Sequence, residues 1–307
     1  MKTLVTITVD TEFSSHPEDM GISGIIDGHS YGLPLFVKIL KEYDFKATFF
    51  VDVYTINKPF LKSFVQAIDE LKKQGHDLQL HTHPQGTFDP KRSGMKDYSL
   101  NEQIEIIKKG KELFYEWFAT TPIAHRAGDW AANYDTLKAL TANDIWIDSS
   151  MFFGWSNCAL NNPALTKNIS VWQDGLLEIP ASVFECVPLG VFSPFRLVST
   201  DGNSYNETKE LLETFHQEGA PVVNLVYHSF SFIKWNKART EYSVDQIRID
   251  KFKNLMNYLS TNSNFEVKTI KDVGLHFKNG NVNTKTDFIP KRGYLASIDR
   301  IVDRLRK

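Results

Sequence analysis

Two histidines stand two residues apart in LQLHTHPQG, positions 78–86, where an alternating apolar and polar run ends. In an extended strand residues i and i+2 project from one face, so His81 and His83 aim at one point beyond the strand end. Imidazoles converging in this way are donors that a divalent transition metal accepts. An isolated HxH is more often an exposed loop whose histidines do nothing. The rest of the chain must therefore supply what a metal site needs to do chemistry.

Further polar residues sit at comparable places. Asp10 and Glu12 close the run TLVTITVD and its continuation, Arg126 follows PIAH, Asp148 follows IWI, and His228 follows NLVY. Any one of them alone reads as a cap, a surface charge or a satisfied core group. Together they occupy the C-terminal ends of strand-like segments, the edge of a parallel α/β fold where loops converge over a rigid sheet.

The elements that must position them alternate along the chain. TLVTITVD, KATFFVDV, HDLQLHTH, IWIDSS, PVVNLVYHSF and FEVKTI read as strands, and the short PIAHRAG and GLLEIPAS fall among them. Between them GLPLFVKILKEYD, FLKSFVQAIDELKKQG, LNEQIEIIKKGKELFYEWF, NYDTLKALTAN, NETKELLETFHQEG and SVDQIRIDKFKNLMNYLS carry apolar residues at helical spacing. About seven strands interleaved with helices imply a parallel sheet, doubly wound or closed into a barrel, and we favour the barrel. A chain of 307 residues is long enough to bury such a core as one unit.

Composition narrows the function. The 35 basic and 37 acidic residues nearly balance and form no long block of one sign, which argues against nucleic acid or an anionic membrane as the main partner. Cys158 and Cys186 lack the CxxC spacing of a structural zinc site and are too few for a disulfide scaffold. The N-terminal apolar run meets Asp10 and Glu12 too soon for a signal peptide, and no stretch is long enough to span a bilayer, so the expected location is the cytoplasm.

The motifs in chain order resemble those of the polysaccharide deacetylases with NodB homology. TVDTE at 8–12, HTHPQ at 81–85, RAGDW at 126–130, DSS at 148–150 and LVYH at 225–228 are similar in order and spacing to that family's five motifs. The resemblance covers roughly residues 1–270. It implies an α/β fold, a deformed (β/α)7 barrel of the NodB type in a single domain, taken here as residues 1–278. It also implies a divalent metal, zinc first among those that fit, and removal of an N-acyl group from an amino sugar or glycan intermediate.

Carried over residue by residue, Asp10 corresponds to the general base and His228 to the general acid. Arg126 is expected to hold and aim Asp10, and Asp148 to orient His228. The chain departs from the family at Thr11, where a metal carboxylate is expected, and at Gln85, where the distal histidine is expected. Glu12 and His83 are the substitutes, so the implied ligand set is Glu12, His81 and His83. Such a set leaves positions open for water and substrate. Trp130 and Asp129, inside the third motif, are candidates for substrate binding, although a Trp is as often packing. Phe152, Phe153 and Trp155 could stack on a sugar, but a run of aromatics is more often core.

Two other readings follow from the same residues. HxH also marks amidohydrolase-type barrels, but there it belongs on the first strand. Thr11 and Gln85 motivate a metal-free or inactive barrel that binds carbohydrate without cutting it. Asp10, Arg126 and His228 count against this, since a binding module needs no acid, base or base partner. No GxSxG turn supports a nucleophilic serine at Ser229 or Ser231. The expected partner is a carbohydrate or small N-acyl substrate. Beyond residue 278, YLASIDRIVDRLRK has the pattern of an amphipathic helix that packs on the barrel or on another subunit.

Overall fold

Strand-forming residues at 3–11 build a central strand, β1 (Thr3–Thr11), with neighbours on both sides. The computed structural model describes residues 2–13, 20–56, 58–160, 167–187, 194–236, 240–279 and 287–293. The parallel strands of the main sheet beside it are β2 (Thr48–Asp52), β3 (Asp77–Thr82), β4 (Ala124–Ala127), β5 (Ile147–Asp148), β6 (Leu176–Glu178), β7 (Val222–His228) and β8 (Phe265–Lys268), and Val171–Gln173 adds an antiparallel edge to β6. They curl in the order β7-β1-β2-β3-β4-β5-β6, parallel at every step, while β8 pairs with the start of β1. This is the expected deformed barrel, a single domain. Asn224 bridges β7 to the segment after β6: its backbone carbonyl accepts from Ser182 N–H at 3.2 Å and its side chain donates to Ser149 Oγ at 3.0 Å.

Helices α1 (Leu33–Glu42), α2 (Leu61–Lys73), α3 (Leu100–Phe118), α4 (Tyr134–Ala142), α5 (Tyr205–Gln217), α6 (Gln246–Thr261) and α7 (Ile270–Asn279) complete the fold. Local signals start several of them: Ser99 and Glu102 form a capping box for α3, Asn133 caps α4, Ser204 caps α5 and Asp245 caps α6. The reading of the sequence stopped at FEVKTI and did not foresee α7, whose start is held by reciprocal hydrogen bonds between Thr269 and Asp272.

The pleat sorts residues by parity. Val5, Ile7 and Val9 of β1 join the core shared with helix residues such as Phe36 and Leu40, whereas Thr6, Thr8 and Asp10 make their polar contacts with Asn224 and Arg126 inside the barrel. The barrel floor is a separate apolar cluster of Phe50, Ala124, Ile147, Leu177 and Val222, plugged by Ile270, Val273 and Phe277 around α7. A polar layer lies above it, and the strand ends lie above that. Burial of this kind is worth about 25 cal/mol per Å² of apolar surface, and it holds the strand ends rigidly.

Past the barrel, Asp287 accepts from the backbone of Lys167 and Asn168, and Lys291–Arg292 pairs with Val183–Cys186. The predicted amphipathic helix at 294–307 and His16 lie outside the described residues. Among the described residues no helix is long and apolar enough to cross a membrane. Neither Cys158 nor Cys186 is in a disulfide, and both are buried.

Candidate metal and catalytic site

Register brings the predicted residues to one rim. Asp10 lies opposite His228, His81 opposite both Asp52 and Arg126. Glu12, two residues beyond Asp10, and His83, two residues beyond His81, continue the inward parity of their strands. One donor atom from each of Glu12, His81 and His83 lies within 4.8 Å of the other two. Glu12 Oε2 is 2.5 Å from His83 Nε2 and 3.6 Å from His81 Nε2, and Glu12 Oε1 is 4.0 Å from His228 Nε2.

The donor set fits a metal on this geometry. His81 Nδ1–H donates to the Arg126 carbonyl at 2.9 Å, because a carbonyl can only accept; that assigns the tautomer and leaves the Nε2 lone pair facing Glu12. His83 Nδ1 accepts from Gln85 Nε2 at 3.4 Å, so its buried Nε2 carries the proton that faces Glu12 Oε2 at 2.5 Å. A cation would take the place of that proton between the two groups.

Electrostatics couple the same groups. Burial pushes the Glu12 carboxyl up, but His81 and His83 outweigh it and hold the group well below the usual carboxylate range. Burial pulls the His83 imidazole down, yet the hydrogen bond and charge of Glu12, aided by Asp52 and Asp10, raise it to about 9. Without a metal the pair shares a proton, which a cation must displace.

The base is braced beneath. Arg126, fully buried, donates from Nη1 to Asp10 Oδ1 at 2.6 Å, from Nη2 to Thr8 Oγ1 and Ser149 Oγ at 3.0 Å each, and from Nε to the Ser149 carbonyl at 3.1 Å. Its guanidinium lies between the rings of Phe50, at 4.2 Å, and Trp130, at 4.9 Å. Trp130 is thus buried and packs over Arg126, the packing alternative for this residue. Asp129 is exposed at the rim, accepting from Asn157 Nδ2, and both Asp129 and Trp130 sit in the left-handed region with φ of 52° and 58°. Non-glycine residues there carry strain, here two in succession beside the site.

Asp148 requires a correction. Its Oδ1 accepts from His125 Nδ1 at 2.9 Å and from Ser150 Oγ at 2.8 Å, so it does not serve His228. Parity explains this: Ile147 points into the floor cluster and Ser149 to Arg126, so Asp148 projects from the other face of the sheet. His125 is likewise opposite in parity to Arg126 and bonds Thr82 at 3.0 Å. Glu178, beside Asp148 in register, is pushed well above the ordinary range by burial and by the Asp148 charge.

Three functional neighbours were not foreseen. Asp52 Oδ1 accepts from the His83 backbone N–H at 3.3 Å, fixing the loop that carries that ligand. Ser149, rather than Asp148, is the member of DSS that supports Arg126. Gly128 lies against His83, where a Cβ would come 2.5 Å from Cε1 of the ring. A buried Asp at the end of KATFFVD was the signal available for Asp52.

Comparisons agree with this construction. Residues 26–145 match the family model described as polysaccharide deacetylase, a span that includes His81, His83 and Arg126. A structure described as a polysaccharide deacetylase from Mycobacterium smegmatis superposes with a TM-score of 0.61 at 17% identity, over 95% of this chain and 96% of that one. The chain has the deformed barrel that this structure shares, and the family match covers residues 26–145. This deacetylase-type fold is shared with the Puue allantoinase, at a TM-score of 0.60 and 10% identity over 92% of both chains. It is also shared with a structure described as a polysaccharide deacetylase from Pseudomonas aeruginosa PAO1, at 0.58 and 11% over 92% and 93%. No curated protein matches the chain.

Proposed function

We propose that this protein is a metal-dependent hydrolase that removes an N-acyl group, acetyl or similar, from an amino sugar or glycan intermediate. The observation that carries the reading is the meeting of Glu12, His81 and His83 beside a carboxylate, Asp10, that a buried arginine holds. A divalent ion on Glu12, His81 and His83, zinc first, would supply Lewis-acid polarisation of the amide carbonyl and make water more acidic.

The chain's own residues do the rest. Asp10 accepts the proton of the attacking water, and Arg126 keeps its Oδ1 engaged so that the other oxygen is free for this task. His228, the register neighbour of Asp10 across β1 and β7, protonates the leaving amine as the C–N bond breaks. A carbohydrate substrate is supported at the rim, where the Trp155 ring stacks on Phe152 at 5.4 Å with its indole N–H donated to the Asp129 carbonyl at 3.1 Å. Such a fixed, partly exposed indole can take the apolar face of a sugar ring.

The test is elemental analysis of protein purified without chelator or affinity-tag metal, with the His81→Ala, His83→Ala double variant alongside. About one equivalent of metal, lost in the double variant, together with amine release from N-acetylated sugars, supports the reading. No metal uptake even on zinc titration would turn it toward a barrel that binds sugar without cutting it. The likeness to an allantoinase favours a second reading, a non-sugar amide as substrate, so allantoin belongs in the same screen.

A further inference from the structure

With Asp148 committed to His125, the proton donor assigned to His228 has no orienting carboxylate from the fourth motif. Its imidazole is partly exposed, its ring 5.1 Å from that of Phe230 and 4.0 Å from Glu12. The backbone from which it projects is held by a different group of residues. His228 N–H donates to Ser231 Oγ at 2.9 Å, and Ser231 N–H donates back to the His228 carbonyl at 3.0 Å. Ser229 N–H donates to the Asp10 carbonyl at 2.9 Å, tying the next residue to the strand of the base.

The serine is itself fixed. Ser231 Oγ donates to Asp201 Oδ2 at 3.0 Å, which directs its lone pair toward His228 N–H. Arg248 Nη1 lies 3.2 Å from Asp201 Oδ1 and donates to the Ser231 carbonyl at 3.1 Å, while its Nε faces Asp245 Oδ2 at 3.4 Å. Asp245 is buried and caps α6, so the chain of contacts runs from a helix N-terminus to the last residue of β7. Ser231 is 2% exposed, so water cannot replace its hydroxyl without rearrangement, and its loss leaves His228 N–H without a partner and Asp201 Oδ2 without this donor.

We propose that Ser231, Asp201 and Arg248 are positioning residues that fix the direction in which the His228 imidazole enters the site. This rests on the reading of His228 as proton donor. None of the three touches substrate. They act through the backbone of the histidine, in the place of a side-chain partner on its ring.

The experiment uses the full chain loaded with zinc, as wild type, Ser231→Ala, Ser231→Thr and Asp201→Asn. Ring-nitrogen NMR of histidine-labelled protein, with the His228 signals assigned by His228→Asn, reads the ring without reference to turnover. Ser231→Ala and Asp201→Asn should shift or broaden the His228 signals while those of His76 stay in place, and Ser231→Thr, which keeps the hydroxyl, should restore them. On an N-acetylated sugar, kcat should fall roughly tenfold in the two disrupting variants with KM within about twofold. Unchanged His228 signals in folded Ser231→Ala and Asp201→Asn proteins would overturn the proposal. If the wild type turns over no N-acyl substrate, the functional reading fails while the spectra still decide the brace.

Discussion

Strand β3 has a histidine and a carboxylate near its start and two histidines at its end, and the two regions are built oppositely. At the start, His76 Nδ1 accepts from Ala47 N–H at 3.2 Å, and Asp77 accepts from Thr48 Oγ1, Lys271 N–H and Gln79 Nε2. The Gln79 carbonyl oxygen accepts from the backbone of Ile123 and Ala124. These polar groups are spent on tying β2, β3, β4 and α7 together. At the end, His83 Nε2 and His81 Nε2 both face the Glu12 carboxylate, at 2.5 and 3.6 Å. Residue type does not separate a tie from a site; ring nitrogens from two residues aimed at one carboxylate do.

Breaking each end in turn gives the largest contrast. Glu12→Gln or His83→Ala should abolish metal binding and lower kcat/KM on the order of 10³-fold, measured by elemental analysis and amine release. Asp77→Asn should retain metal and activity and lower stability by about 1–3 kcal/mol in denaturant unfolding. Loss of metal in Asp77→Asn would erase the distinction.

Acid titration separates the ends next. Burial, assisted by the charge of Lys46, lowers His76 to about 4, so the folded state resists protonation there. An unfolded histidine binds its proton near pH 6.5; stability from neutral His76 is therefore complete above that pH and is lost as pH falls toward 4, by about 3 kcal/mol in all. For His83, raised to about 9, the sign reverses in metal-free protein: its pairing with Glu12 stabilises below about pH 6.5 and is lost as pH rises through 9. Unfolding curves of His76→Gln and His83→Gln against pH should therefore depart from wild type on opposite sides of neutrality. Departure of both on the same side would contradict the assigned environments.

Smaller effects test the support of the upper end. Gly128→Ala, whose methyl meets the His83 ring, should weaken metal binding roughly 10- to 100-fold against a competing chelator with the fold intact. Asp148→Asn should lower the unfolding midpoint by about 1–3 kcal/mol equivalent and leave the pH profile of kcat in place, since Asp148 serves His125 behind the sheet. A shifted kcat profile would restore the link to His228.

Much of this was legible before any coordinates. β-branched and aromatic runs marked the strands, and period-2 alternation put Asp10 with Glu12 and His81 with His83 on shared faces. The closing α7 was missed because its apolar residues follow directly on β8 and its Thr269–Asp272 start signal was not weighed. The burial of Glu178 was invisible because a single acid in GLLEIPAS resembles any strand-end charge until its place beside Asp148 is known.

The sequence by itself determined which residues end each strand and which share a side of it, because pleat parity is a property of the local backbone. Tertiary structure alone decided who pairs with whom. Arg126 reaches Asp10 across 116 residues, and Asp148 reaches His125 instead of His228, because register and sheet curl set those distances. Partners drawn from different strands carry no spacing signal, so parity could name the candidates while only the curled sheet could assign them.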